Sequence, residues 1–121
     1  MREIKFRAWD NMYQKIVTFP SLAELFKNYE TEYKRFELMQ YTGLKDMDST
    51  EIYEGDIVKE FHEGKFLKIK WDSHHVAFIA SNRWCEWLRG YGNVGSNVCM
   101  NCKVVGNIYE SSKTLEKVKD E

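Results

Sequence analysis

Proline, glycine and cysteine are scarce in this sequence, and each scarcity excludes a class of protein. One proline and seven glycines among 121 residues argue against a disordered or low-complexity chain. Three cysteines, a small and odd number, argue against a disulfide scaffold and favour reduced thiols. No run approaches the length of a membrane span, about 20 apolar residues, and the N-terminus lacks the apolar core of a signal peptide. We therefore expect a cytoplasmic protein that does not enter a membrane.

Charge of either sign is not in excess, and the motifs of common enzymes are missing. The chain has 18 Lys and Arg against 19 Asp and Glu, a formal net charge of −1. No segment is strongly basic, so sequence-independent binding to phosphate backbones has little support. The sequence contains no nucleophile elbow, P-loop, dinucleotide fingerprint or HExxH motif. We expect no catalytic residue and no enzyme activity.

The patterns that are present favour strands, with one helix. Residues 4–8 alternate apolar and polar side chains, residues 10–12 supply a polar turn, and residues 15–19 return as a second strand. This arrangement predicts an N-terminal hairpin. Ser21 and Glu24 then form a capping box that predicts the start of a short helix. Its apolar side chains recur at helical spacing, at Leu22, Leu25, Phe26 and Tyr29.

Further short strands are predicted along the rest of the chain. They fall at residues 36–42, 51–53, 56–61, 66–71, 76–80 and 98–109. Residues 84–91 fit helical spacing and a twisted strand equally well. The pattern predicts a mainly β fold, a barrel or a sandwich. The side chains expected to be buried lie on the apolar sides of these strands: Trp9, Leu67, Ile69, Trp71, Phe78 and Ile108.

Three blocks of sequence carry a specific pattern. They are MREIKFRAWD at residues 1–10, QYTGLKD at residues 40–46 leading to EIYEGDIV at residues 51–58, and VVGNIYE at residues 104–110. Together they resemble the YopX-like family, small proteins encoded by temperate phages and prophages. The resemblance implies a mainly β fold and a bacterial or phage origin. It implies no chemistry.

The expected organisation follows from the patterns and the resemblance together. We predict a single YopX-like β-rich domain over residues 1–110 and a charged C-terminal tail over residues 111–121. Residues 54–58, a turn and residues 65–71 are similar in pattern to the opening of an SH3-like barrel. The predicted fold is thus a compact β domain, partly open and SH3-like, with an N-terminal hairpin and one short helix. Such an analogy of fold carries no function.

The two cysteines of Cys99-x-x-Cys102 have the spacing of zinc ligands, and His74, His75 or Cys85 could complete the set of four. A structural zinc site usually has a second pair at a comparable spacing, and none is present here. We interpret the cysteines as free thiols that pack as small hydrophobes. We therefore expect no metal and no cofactor.

An acidic cluster lies within the second block of the family-like sequence. A calcium loop beginning at Asp46 would need glycine where Glu51 stands and a carboxylate where Ile57 stands. Both requirements fail. The cluster is interpreted as a solvated turn region, made of Asp46, Asp48, Glu51, Glu54 and Asp56.

The leading functional hypothesis is an accessory protein that binds an unknown host or phage protein, or a second copy of itself. The expected contact surface is the segment 40–56, which combines two turns with tyrosines able to anchor an interface. Its candidate residues are Tyr41, Gly43, Asp46, Tyr53, Gly55 and Asp56. The alternative is that the glycines and carboxylates build two turns while the tyrosines pack inward.

The second hypothesis, from a different class, is a weak nucleic-acid binder. Aromatic and basic side chains on the face of a small β-sheet resemble the stacking platforms of single-strand binders. The candidate residues are Phe66, Lys68, Lys70, Arg83 and Trp84. The alternative interpretation is a solvated strand face with one exposed aromatic ring.

Overall fold

The computed structural model describes residues 4–32, 34–61, 63–74, 76–80, 83–84 and 101–110. These residues form nine strands and one helix, so the mainly β prediction is confirmed. The elements are β1 (Phe6–Asp10), β2 (Lys15–Val17), α1 (Leu22–Thr31), β3 (Phe36–Lys45), β4 (Glu51–Tyr53), β5 (Asp56–Glu60), β6 (Phe66–Asp72), β7 (Ala77–Ala80), β8 (Arg83–Trp84) and β9 (Cys102–Asn107).

The chain divides into two compact units, Met1–Tyr41 and Thr42–Glu121. The division falls within β3, whose first residues belong to one unit and whose last residues belong to the other. The single domain over residues 1–110 and the SH3-like barrel stay predictions. The tail at residues 111–121 lies outside the described residues.

The first unit is built on the predicted hairpin. Strand β1 pairs antiparallel with β2 on one side and with the first half of β3 on the other. In this register Trp9 lies opposite Ile16 and Glu37, and its side chain is buried as expected. Ala8, the preceding residue on the opposite face of the strand, is buried as well, so both faces of β1 are covered at this point.

The helix of the first unit begins as the capping box predicts. The Ser21 hydroxyl accepts a hydrogen bond from the backbone N–H of Glu24 at 3.2 Å, which satisfies one of the unpaired amides at the helix start. Leu25 is buried, whereas Leu22 and Phe26 remain about half exposed, so the apolar stripe is covered only in part. Among the helices of the described residues, none is long and apolar enough to cross a membrane.

The second unit contains a five-stranded sheet in the order β8-β7-β6-β5-β9, together with β4 and the end of β3. Period-2 alternation along β6 directs Leu67 and Ile69 to the same side, and both are buried. They join a core contributed by five elements and the end of β3. Its buried members are Leu44, Ile52, Val58, Leu67, Ile69, Phe78, Ala80 and Cys102.

The prediction that Trp71 is a core residue is wrong. Trp71 lies on the same side of β6 as Leu67 and Ile69, yet 44% of it is exposed. Near the end of the strand, its ring packs edge-on against the Phe78 ring, with centroids 5.0 Å apart. The alternation assigned the face correctly, but the core ends before Trp71. Ile108, also expected in the core, is only partly buried.

Candidate functional site

Asp46, expected in a solvated turn, is a buried residue that joins the turn after β3 to a distant strand. Its Oδ1 atom accepts hydrogen bonds from the backbone N–H groups of Asp48 at 2.8 Å and Thr50 at 2.9 Å. Its Oδ2 atom accepts the N–H of Val104 in β9 at 2.8 Å. The Met47 N–H also donates to the carbonyl of Cys102, at 3.0 Å. The carboxylate thus has a structural role.

The turn between β4 and β5 is fixed in the same way. The Asp56 carboxylate, which is buried, accepts the N–H of Tyr53 at 2.8 Å. Gly55 has a φ of +90°, a conformation that strains residues with a side chain. Its N–H donates to the carbonyl of Ile69 at 2.8 Å, and its carbonyl accepts from Ile108 at 2.9 Å. Glycine at this position is therefore needed by the backbone of the turn.

All six residues predicted as a contact surface are buried: Tyr41, Gly43, Asp46, Tyr53, Gly55 and Asp56. Gly43, like Gly55, has a positive φ, of +88°. The Tyr53 hydroxyl donates to Glu51 at 3.2 Å from a ring that is otherwise covered. The alternative read from the sequence, in which these residues build turns and the tyrosines pack inward, describes their placement. Partner binding by this segment stays a prediction.

A third buried carboxylate organises the turn of the N-terminal hairpin. Asp10 binds Arg35 through two hydrogen bonds, from Nε at 3.0 Å and from one terminal nitrogen at 2.9 Å. It also accepts the N–H groups of Met12 at 2.9 Å and Tyr13 at 3.3 Å. The hydrogen bonds from Arg35 hold the pKa of Asp10 at about 2, because they outweigh the opposing effect of burial and the backbone donors add to them.

The side chains displayed by this turn are large and apolar. Met12 is 61% exposed and Tyr13 is 64% exposed. The Arg35 guanidinium lies between the rings of Tyr13 and Phe36, 5.0 Å from each ring centroid, an arrangement that stabilises both. The sequence predicted the turn, but we did not predict from it that Met12 and Tyr13 would be exposed there. The available signal was two large apolar residues placed directly after a turn-forming Asp-Asn pair.

The predicted nucleic-acid face is extended by neighbouring strands. Phe66, Lys68 and Lys70 lie on the outward side of β6 and are partly buried. The register places Lys59 of β5 opposite Phe66, and Lys103 of β9 opposite Lys59. Sequence reasoning missed these two lysines, because strand register decides which residues lie opposite Phe66, and Lys103 comes from a strand distant in sequence. Of the other candidates, Arg83 and Trp84 form β8, and their side chains lie outside the described part.

The cysteine motif falls largely outside the described residues, which include neither Cys85 nor Cys99 nor His75. Cys102 is fully buried in the core of the second unit. Within the ranges that the structure describes, no three His, Cys, Asp or Glu side chains are placed to share a metal ion.

Comparison with known proteins identifies the family. The family model described as YopX protein matches residues 15–116. The chain belongs to the YopX family. This is not a known enzyme family. No curated protein sequence matches the chain. The crystal structure of protein EF1440 from Enterococcus faecalis is similar in fold, with a TM-score of 0.63 and 21% sequence identity, covering 95% of this chain and 99% of that chain.

In this YopX protein, the sequence blocks that resemble the family contain the residues that build its turns. Asp46, Gly55 and Asp56 hold the turns around β4, as described above. In the last block Asn107 is buried, and its side-chain oxygen accepts the N–H groups of Tyr109 and Glu110, each at 2.9 Å. The family-like residues therefore account for the scaffold, and candidate binding groups must be sought among the exposed side chains.

The ion pair between Asp10 and Arg35 should make the stability of the YopX protein depend on pH in the acid range. Because the pKa of Asp10 is lowered to about 2 in the fold, the carboxylate stabilises the protein fully above its unfolded pKa of about 3.9. This contribution is lost as the pH falls from there towards 2. We expect the melting temperature of the wild type to fall more steeply than that of Asp10→Asn between pH 5 and 2, when both are measured by circular dichroism.

Glu32→Gln is the matched control for this experiment. Glu32 also pairs with Arg35, at 3.2 Å, but from a side chain that is 43% exposed, and exposed pairs contribute little. The variant should follow the wild-type pH profile. A gap between wild type and Asp10→Asn that is the same at pH 2.5 and pH 7 would contradict the assignment.

Proposed function

We propose that this YopX protein is a non-catalytic accessory protein of a phage or prophage that acts by binding another protein in the cytoplasm of a bacterial host. The observation that carries the proposal is the exposed pair Met12 and Tyr13. The pair lies on a turn whose backbone is held by hydrogen bonds to the Asp10 carboxylate. Tyrosine and methionine are enriched at protein interfaces, and exposed aromatic anchors dominate interface energetics. Family membership supports the accessory role.

Rigidity of the turn supports an anchor function. The Gln14 N–H donates to the Asp10 carbonyl at 2.7 Å, and the Asn11 N–H donates to the Arg35 carbonyl at 2.8 Å. The Gln14 side chain closes the turn further by donating to the Asn11 carbonyl at 2.8 Å. A side chain held on a fixed backbone loses less conformational freedom on binding than one on a mobile loop. The turn is thus preorganised to present Tyr13.

Charges around the ring indicate the chemistry of the partner. The Lys15 ammonium lies 5.8 Å from the Tyr13 ring centroid, and the Arg35 guanidinium lies against the same ring. Because Arg35 is already paired with Asp10 and Glu32, a complementary surface would be an apolar pocket with a carboxylate placed to meet Lys15. The turn precedes the residues that the family model matches, so the proposal concerns this chain rather than every family member.

The test compares two variants in host cells. In Met12→Ser/Tyr13→Ser the anchor is removed, and in Met47→Ser a large apolar residue of the second unit that is 42% exposed is replaced. Both substitutions are on the surface, so melting temperatures should stay within a few degrees of the wild type. We expect a partner protein, quantified by mass spectrometry of tagged protein, to be lost at least tenfold from the double variant and retained by Met47→Ser.

The binding must then be reproduced with the purified partner by calorimetry. Sedimentation velocity tests the case in which the partner is a second copy, since the double variant would then be more monomeric than the wild type. If neither co-purification nor self-association differs between the double variant and Met47→Ser, the turn is not a binding site and the proposal is wrong.

A further inference from the structure

Four lysines from the strands of the second unit lie on one face of its sheet, a face that Asp72 at the end of β6 shares. Lysines lie on the outward sides of three adjacent strands, at Lys103 of β9, Lys59 of β5, and Lys68 and Lys70 of β6. The two carboxylates of β5 are buried instead. Asp56 accepts the N–H of Tyr53, and Glu60 accepts the N–H of Glu63. A chain of net charge −1 thereby presents a locally positive face.

Aromatic rings accompany the lysines at one end of this face. Phe61, directly after β5, is 46% exposed, and Phe66 is partly exposed on the neighbouring strand. The Lys59 ammonium lies 5.6 Å from the Phe61 ring centroid and 5.7 Å from that of Phe66. Ile57, on the same side of β5 as Lys59, is fully buried. The accessible part of the face is therefore the end that carries Lys59, Phe61, Phe66 and Lys103.

Two carboxylates near this end are paired with lysines. Asp48 pairs with Lys103 at 3.4 Å, and both side chains are 54% exposed. Glu63 pairs with Lys65 at 3.4 Å across the β5–β6 turn. Exposed ion pairs of this kind are weak and readily exchanged for a stronger anion. A phosphate group can displace Asp48 from Lys103 more easily than it could displace a buried partner.

We propose that this end of the sheet binds single-stranded nucleic acid. Phosphates would contact Lys59 and Lys103, and bases would stack on Phe61 and Phe66. Exposed rings beside lysines favour a single strand, since the bases of a duplex are already stacked, and the carboxylates of an acidic peptide would pair with the lysines without stacking on the rings. The inference goes beyond the proposed protein binding and depends on different residues, so either can fail alone.

The probe is a fluorescein-labelled oligothymidylate of about 20 nucleotides, longer than the roughly 4–16 nucleotides that a small β domain covers. Oligouridylate of the same length separates DNA from RNA. Binding is measured by fluorescence anisotropy between about 50 and 200 mM salt. Lys59→Gln/Lys103→Gln removes two charges, and Lys27→Gln/Lys45→Gln removes two charges from lysines elsewhere in the chain. Phe61→Ala removes the most exposed ring, and Phe61→Trp keeps a stacking surface.

We expect the lysine double variant to bind at least tenfold more weakly at low salt, with a salt slope smaller by about 1.4, because each phosphate contact on a single strand contributes about 0.7. Phe61→Ala should lose about tenfold, Phe61→Trp should bind like the wild type, and the control double variant should change little. Circular dichroism confirms that each variant is folded.

Three results would overturn the inference. The first is no binding of either oligonucleotide at about 50 mM salt. The second is an equal loss in the lysine double variant and its control. The third is that duplex DNA or polyglutamate binds as tightly as the single strands and is unaffected by Phe61→Ala, because the face would then recognise charge alone.

Discussion

Asp46→Asn should lower the free energy of unfolding by about 2–4 kcal/mol. The amide oxygen can still accept the two N–H groups that Oδ1 accepts, but the NH2 group then faces the Val104 N–H across 2.8 Å. Two donors meet there, and the amide of Val104 loses its acceptor. Turning the side chain over would place the NH2 group against Asp48 and Thr50 instead. Urea titration followed by tryptophan fluorescence measures the loss.

Asp48→Asn is the control, since it removes the same charge two residues away. The Asp48 side chain is exposed and pairs only loosely with Lys103, so its replacement should change the free energy of unfolding by less than about 0.5 kcal/mol. Losses of similar size in both variants would show that charge, rather than the hydrogen bond to β9, decides the stability of this turn.

Leu67→Ala should lower the free energy of unfolding by about 3–5 kcal/mol, because the side chain is fully buried in the core of the second unit and its removal leaves a cavity. Trp71→Ala removes more atoms from the same side of the same strand. We nevertheless expect a smaller loss, about 1–2 kcal/mol, because nearly half of Trp71 stays exposed and its edge-on contact with Phe78 contributes about 1 kcal/mol of this.

The ratio of the two losses tests where the core ends. If Trp71→Ala lowered the free energy of unfolding more than Leu67→Ala in the same urea titrations, Trp71 would be a core residue, in contradiction to its observed exposure. Equal losses would mean that the strand end is packed as tightly as its middle.

Local interactions account for what the sequence could predict. The capping box at Ser21 and Glu24 needs only neighbouring residues, and the helix starts where it predicts. The hairpin of β1 and β2 joins neighbouring strands. Alternation along β6 assigned Leu67 and Ile69 to the buried side, since successive side chains of a strand point to opposite faces. Each of these predictions depends on spacing within a few residues.

The exposed candidates for binding were harder to predict. A polar turn at residues 10–12 is visible in the sequence. The hydrogen bonds from Arg35 that hold Asp10 in this turn join residues 25 positions apart. The outward lysines of β5, β6 and β9 become one face only through strand register. The amino-acid composition argued against a basic surface, because the net charge includes every carboxylate. Several of these carboxylates are buried in the fold, where they accept hydrogen bonds from the backbone of turns.

The sequence by itself determined the mainly β character, the hairpin, the helix and its cap, and the buried side of β6, because these follow from backbone geometry and the spacing of neighbouring side chains. Tertiary structure decided whether an acidic turn faces water or the interior. Asp46 is buried because Val104, 58 residues later, donates to it, and Trp71 is exposed because the core ends before it. Neither pairing across the sheet nor the limit of a core is encoded in the residues of one segment.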